Sequence, residues 1–312
     1  MWIKKGLVYR VTKLSDIMYS HVSIPFGMPL TNRILRIFFS SRDNYGKSRP
    51  FYIDVNSKKP TEIIKICKSP LLELGELGTF DDCGIMPSWF IKNGDFVYMY
   101  YIGWNPQVNV SYRLSIGLAI SDDGGESFKK YSKGPICDRD LKEPYFNTAP
   151  CVIKEDNIWR MWYISCTEWQ LIDNYPEPKY HVKYAESKDG IHWEKEGIVC
   201  IDYDNQAEAI GRPSVYLDKK ENKYKMYYSY RLINGYRKIK EKGYQIGYAE
   251  SLDGKNWDKL PSPTGLSLSK KGWDSQMMEY CHVFELEGEI TMLYNGNNFG
   301  ETGFGYAVNK LQ

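Results

Sequence analysis

Gln245-Ile-Gly-Tyr-Ala-Glu-Ser-Leu-Asp-Gly-Lys-Asn-Trp-Asp-Lys-Leu260 reads as a strand, a tight Asp-Gly turn and a second strand entered through a tryptophan. The same phrase occurs twice more. His181-Val-Lys-Tyr-Ala-Glu-Ser-Lys-Asp-Gly-Ile-His-Trp-Glu-Lys195 is one copy, and Ser115-Ile-Gly-Leu-Ala-Ile-Ser-Asp-Asp-Gly-Gly-Glu-Ser-Phe-Lys-Lys130 is another. The serines that open the turns, Ser121, Ser187 and Ser251, recur at a period of about 65 residues, which marks a repeat architecture.

Working outward, each copy shows four strand-like runs bounded by Gly, Asn and Asp. In one copy these are Pro213–Leu217, Lys223–Tyr230, Tyr244–Ser251 and Trp257–Leu260. Two earlier copies open on Pro150 and Pro87, and their last runs are entered through Trp193 and Phe128. A weaker copy precedes them (Ile34–Ser40, Phe51–Val55, Thr61–Cys67). A last copy (His282–Leu286, Ile290–Asn295, Gly303–Val308) stops one strand short. The missing strand lies at the other end of the sequence, because Trp2-Ile-Lys-Lys-Gly-Leu-Val8 matches Trp193-Glu-Lys-Glu-Gly-Ile-Val199 at Trp, Lys, Gly and Val. The expected fold is therefore all-β. It is a single five-bladed β-propeller spanning 1–312, closed by an N-terminal outer strand in the last blade, which removes the open edge of a linear array. A pair of two-sheet sandwiches fits the fixed period and the split last repeat less well.

Composition agrees. Aromatics make up 15% of the 312 residues, with 26 Tyr and 9 Trp, a bias that suits pleated sheets. The net charge of +2, from 41 basic and 39 acidic residues without a basic run, argues against nucleic acid. Seven dispersed cysteines without CxxC spacing point away from a zinc knuckle or redox dithiol, and suit a reducing compartment. The N-terminus has no signal-peptide pattern, and no apolar run approaches the roughly 20 residues of a membrane span. A soluble, cytoplasmic protein is expected.

The Ser-x-Asp-Gly turns join third to fourth strands, on the face opposite the one where the innermost strands begin. They are expected to be structural. The site is expected at the other face. Segments there include Tyr19–Val22, Phe80–Cys83, Glu143–Asn147, Glu208–Arg212 and Trp273–Tyr280 before the first strands. Arg42-Asp43, Trp104-Asn105, Thr167–Trp169, Tyr230-Arg231 and Asn295–Asn298 lie between second and third strands. Charged, amide and aromatic side chains converging on one mouth suit a sugar ring, whose C–H faces stack while its hydroxyls take polar partners.

At this point the sequence resembles the five-bladed propeller glycosidases: arabinanases and xylosidases, invertases and mannoside phosphorylases. The phrases Ala149-Pro-Cys-Val-Ile153, Gly211-Arg-Pro-Ser-Val215 and Tyr294-Asn-Gly-Asn297 resemble most closely an uncharacterised bacterial branch met among surface-polysaccharide genes. The resemblance implies carboxylates on the first, third and fourth blades. Here those positions read Ser20-His21, Asn147 and Glu208, so only Glu208 stands where the general acid would be. Asp82 and Glu208 each lie five residues before their blade's proline and form an alternative pair. Glycosidases hold two carboxyls about 5–5.5 Å apart for retention or about 6.5–9.5 Å for inversion.

The expected catalytic residues are Asp82, Glu208 and Glu279, with Asp81 a solvent-facing neighbour of Asp82. The expected substrate-binding residues are His21, Arg42, Asp43, Trp104, Asn147, Glu168, Trp169, Arg212, Arg231 and Asn297. Arg212 and Arg231 could grip an acidic sugar or phosphate, or Arg212 could brace Glu208 as an ion pair. No metal or cofactor is expected. The expected partner is a carbohydrate or sugar conjugate, with no nucleic acid and no membrane. The leading function is a glycoside hydrolase-like enzyme acting on a bacterial glycan. The alternatives are a non-catalytic glycan-binding module of a polysaccharide pathway and a glycoside phosphorylase, which needs one acid and lets phosphate attack.

Overall fold

The computed structural model describes residues 1–205, 208–262 and 264–309. The protein is all-β. Its strands are β1 (Trp2–Tyr9), then β2 (Ser20–Pro29), β3 (Ile34–Arg42), β4 (Ser48–Asn56) and β5 (Lys59–Ile66) as a first unit. A second unit holds β6 (Gly84–Asn93), β7 (Phe96–Asn105), β8 (Arg113–Ser121) and β9 (Lys129–Lys130). A third holds β10 (Asn147–Glu155), β11 (Ile158–Ile172), β12 (Tyr175–Ser187) and β13 (Val199–Ile201). A fourth holds β14 (Ala209–Asp218), β15 (Lys223–Arg231), β16 (Gln245–Ser251) and β17 (Asp258–Leu260). The last holds β18 (Glu279–Leu286), β19 (Glu289–Asn295) and β20 (Phe304–Asn309). Within each unit consecutive strands pair antiparallel. Single parallel bridges, Ser48 to Gly84 and Tyr180 to Ala209, link the first unit to the second and the third to the fourth. The leading strands touch in a cycle: β2 meets β6, β6 meets β10, β10 meets β14, β14 meets β18, and β18 meets β2. Among the described residues no helix is long and apolar enough to cross a membrane.

The last sheet runs β1-β20-β19-β18, so the N-terminal strand is its outer member. Side chains explain why. Phe128, Trp193 and Trp257 each pack edge-on against an aromatic ring of the preceding unit, Phe38, Tyr100 and Trp162 respectively. Trp2 does the same to Tyr227, at 5.5 Å between ring centroids. Two residues on, each of these segments carries a lysine that reaches a carboxylate: Lys130 to Asp81, Lys195 to Glu143, Lys259 to Asp204 and Lys4 to Asp274. Three of those carboxylates also accept a tyrosine hydroxyl from their unit's second strand, Tyr101, Tyr163 and Tyr294. Asp81 is therefore buried and paired, contrary to the expectation that it faces solvent.

The repeated turns seal the joints between units. Each serine Oγ accepts backbone N–H groups of its own turn, and each aspartate accepts two further on. The turn glycine's carbonyl then accepts a hydrogen bond from the second strand of the preceding unit. Arg36 donates to Gly125 (3.2 Å), Tyr100 to Gly190 (2.8 Å) and Trp162 to Gly254 (2.8 Å).

The prolines do not open the inner strands. β6 and β10 begin three residues before Pro87 and Pro150, and β14 begins four before Pro213. Each proline, and Pro25 in the first unit, sits at a β-bulge where the register slips against the neighbouring strand. β18 has the same slip between Glu279 and His282. A bulge is where a strand tolerates a residue without an N–H donor, and it re-aims the adjacent side chains.

Candidate functional site

The five bulged strands each bring a residue to one place. There they floor a cavity of about 350 Å3 with Ile24, Met86, Ala149, Arg212 and Tyr280, one from each unit. Four of these hold the left-handed backbone region, with φ of 58°, 48°, 36° and 54° at Ile24, Ala149, Arg212 and Tyr280. Non-glycine residues there cost on the order of 1–3 kcal/mol each, a strain characteristic of functional sites.

Arg212 is the hub of the floor. Its guanidinium is 1% exposed and donates to backbone carbonyls of three other units: Tyr280 (2.6 Å) and Cys281 on β18, Ser88 (3.0 Å) on β6, and Pro25 (3.5 Å) on β2. It forms no ion pair with Glu208. Burial lowers its pKa to about 10, so the charge persists at neutral pH.

Three more arginines stand in the wall: Arg42 at the end of β3, Arg231 at the end of β15, and Arg237 in the connection to β16. Arg231 lies 3.7 Å over the ring of Tyr236, and its Nε donates to the Tyr244 hydroxyl at 3.1 Å. Glu177 answers Arg237 at 3.2 Å and Arg231 at 3.9 Å. Most of the remaining wall is aromatic and aliphatic, with Trp104, Tyr112, Phe146, Tyr180, Ile102 and Ile164, and Ser23, Ser48 and Thr148 add hydroxyls. Trp104 lies across Gly84, where a Cβ would fall 1.6 Å from its Nε1. Among the described residues no carboxylate lines this cavity.

Glu279 stands directly behind it, one residue before Tyr280. The side chain is fully buried and neither oxygen completes a hydrogen bond of good geometry. Desolvation pushes its pKa well above the usual carboxylate range. The Phe299 backbone amide and the charges of Arg231, Arg237 and Arg42 oppose that shift without cancelling it.

The other expected site residues lie outside the lining of this cavity. Asp82 accepts the Gly78 amide at 2.9 Å, with its second oxygen buried and unpaired. Glu208 accepts the Ile233 amide at 2.9 Å. Asp43 caps its own turn and pairs with Arg49 at 2.6 Å. Asn147, fully buried, bridges Glu143 and Lys195. Asn297 accepts the Gln276 and Met277 amides and so pins the segment before β18. Glu168 meets Lys179 at 3.5 Å. Trp169 backs the cavity by packing on Tyr112 and Phe146. His21 bonds Ser20, and burial followed by the Arg42 charge lowers its pKa to about 4. His282 is stacked between Phe26 and Phe284, accepting the Gly27 amide at 3.0 Å. The cavity thus brings together Arg42, Trp104, Arg212 and Arg231, with Glu279 behind them.

Two proteins of Mycobacterium tuberculosis, Uncharacterized protein MT1551 and Uncharacterized protein Rv1502, are 36% and 35% identical to this one over 310 residues, which is 98% of its length and 98% of each relative's. The protein is a member of their family. No family model matches it. Among solved structures, BT0996 in its RGII complex superposes with a TM-score of 0.75 at 16% identity, covering 99% of this protein and 92% of that one. A thermostable family-43 glycoside hydrolase superposes with a TM-score of 0.66 at 16% identity, over 98% and 90%. The Bombyx mori GH32 beta-fructofuranosidase BmSUC1 gives 0.63 at 15% identity, over 93% of this protein and 61% of that one. The family therefore has the glycoside-hydrolase fold.

Sequence reasoning missed Arg237, Tyr236 and Tyr244. They lie in the connection from β15 to β16, residues 232–244, which is longer than the corresponding connection in the other units. Its length, and the Tyr236-Arg237 pair within it, were the available signals.

Proposed function

We propose that the protein is one five-bladed β-propeller, closed by its N-terminal strand, that takes a sugar or sugar conjugate into the axial cavity. The observation that carries this reading is the cavity itself: aromatic and aliphatic walls for the C–H face of a ring, with guanidinium and tyrosine donors for its oxygens. The likeness to glycoside hydrolases supports a carbohydrate ligand, and one of those neighbours is an RGII complex. Two-carboxylate hydrolysis needs a pair of carboxyls flanking the scissile bond. With none lining the cavity, and with Asp82 and Glu208 capping loops, the reading rests on recognition of the sugar. A glycan array followed by calorimetric titration tests it, with Trp104→Ala expected to weaken binding by more than tenfold. Binding that is indifferent to Trp104 places the ligand elsewhere.

One observation favours a second, catalytic reading. Glu279 is a fully buried carboxyl whose pKa desolvation raises against the opposing charges of Arg231, Arg237 and Arg42, a setting that suits the acid of a one-acid phosphorolysis. A phosphate oxygen would attack the anomeric carbon as the glycosidic C–O bond breaks, and the leaving oxygen would take a proton from an intervening hydroxyl that Glu279, lying behind the cavity lining, reprotonates. Phosphate-dependent release of sugar 1-phosphate, abolished in Glu279→Gln, is the expected result. Turnover without phosphate, or unchanged in Glu279→Gln, removes Glu279 from this role.

A further inference from the structure

Resting on the reading that the cavity holds a sugar, we infer that this sugar is acidic: one oxyanion docks among Arg42, Arg231 and Arg237, and a second anionic group leaves the mouth into an adjoining lysine-lined pocket. The wall arginines outnumber the carboxylates that answer them. Glu177 serves both Arg231 and Arg237, Arg42 forms no direct ion pair among the described residues, and the carboxylates whose charge reaches Arg42 are the exposed Glu301 and the buried Glu279. Arg212 adds a fourth charge to the floor, compensated by carbonyl dipoles alone. Two guanidinium groups that share one carboxylate, beside a third with no direct ion pair, are poised for a planar or tetrahedral oxyanion, which guanidinium groups bind through paired N–H donors.

The second pocket, about 260 Å3, shares Tyr236 and Arg237 with the first. Beyond them it is lined by Lys238, Lys240 and Lys270, all exposed. Lys240 meets only the Ser269 carbonyl at 3.3 Å, and no acid lines this pocket among the described residues. The two spaces adjoin at the Tyr236 ring and the Arg237 side chain, and both are basic. A ligand that spans them is a sugar with anions at two points along its length. Two chemistries meet that description: a uronic-acid oligosaccharide and a sugar diphosphate ester.

The test is titration of the intact protein with matched ligands at fixed ionic strength. Tri-galacturonate is set against its neutral galactose counterpart, UDP-glucose against glucose, and inorganic pyrophosphate is run alone. An acidic ligand binding at least tenfold tighter than its neutral partner, with the advantage lost in Arg42→Gln, supports the inference. Which pair shows it separates the uronic acid from the diphosphate. In Lys238→Ala/Lys240→Ala/Lys270→Ala, the affinity and salt dependence for the two-anion ligand should fall, while a mono-uronate should be unaffected. Acidic and neutral sugars binding alike overturns the acidic ligand and leaves the sugar reading standing. Pyrophosphate binding through Arg42 with every sugar excluded does the reverse. An acidic preference untouched by Arg42→Gln overturns the assignment of the arginine wall.

Discussion

Lys4 on the first strand places its ammonium 2.6 Å from the carboxylate of Asp274, 270 residues later in the sequence. The aspartate side chain is 4% exposed and also accepts the Tyr294 hydroxyl. Removing the lysine leaves a buried charge unpaired, which costs about 3–5 kcal/mol for a fully buried pair. Lys4 is partly exposed, so Lys4→Met is expected to lose about 2–3 kcal/mol in urea denaturation. The neighbouring Lys5→Met, on the solvent side, should change stability by no more than ~0.5 kcal/mol. Equal losses at the two positions would refute a specific closing contact.

Glu279 gives a pH signature. Its folded pKa lies above its unfolded value, so the stability it contributes is complete below about pH 4.5 and is lost as pH rises toward the folded pKa. Glu279→Gln lacks that loss. The stability of the variant minus that of the wild type should grow from pH 5 to pH 8, by up to about 1.4 kcal/mol per unit until the folded pKa is passed. Denaturation at four pH values measures it, and a flat difference would mean that the group is already ionised in the fold.

Gly84 keeps Trp104 in place. In Gly84→Ala the new methyl would meet the indole at 1.6 Å, so the ring must leave the cavity wall. The expected outcome is a stability loss of about 1–3 kcal/mol together with weakened ligand binding. Ligand titration after a thermal-shift check decides, and wild-type affinity in a folded variant would show that the wall does not depend on this ring.

Tyr100→Phe tests the seal between units. It deletes the hydroxyl bonded to the Gly190 carbonyl at 2.8 Å and leaves that buried acceptor alone, at about 1–2 kcal/mol. Hydrogen exchange should rise at the 187–193 turn more than elsewhere in that unit. Exchange that rises uniformly would argue against a local latch.

Much of the sheet organisation was legible because the turn phrase repeats. The match of Trp2 and Lys4 to Trp193 and Lys195 is the match of two contacts, an aromatic edge and a buried ion pair. The strand starts were misread because proline ordinarily stops a ladder, whereas here it occupies the bulge that aims Met86, Ala149 and Arg212 inward. Within the site, Arg42 and Arg231 could be read from their place at the ends of second strands. Glu208 and Asp82 looked like free acids because the partners that occupy them, the Ile233 and Gly78 amides, are backbone groups that any residue supplies. Arg237 belongs to a connection longer than its counterparts, where periodicity carries no information.

The pairing of β1 with β20 also bears on biosynthesis. β1 is translated before β2–β19, and its partner β20 only after them. Its tryptophan and its row of unsatisfied amides must wait until the four intervening units have been made, an aggregation hazard that invites a chaperone to hold the nascent polypeptide. A permutant that begins at Ser20 and carries the first strand after Asn309 would spare the protein that wait.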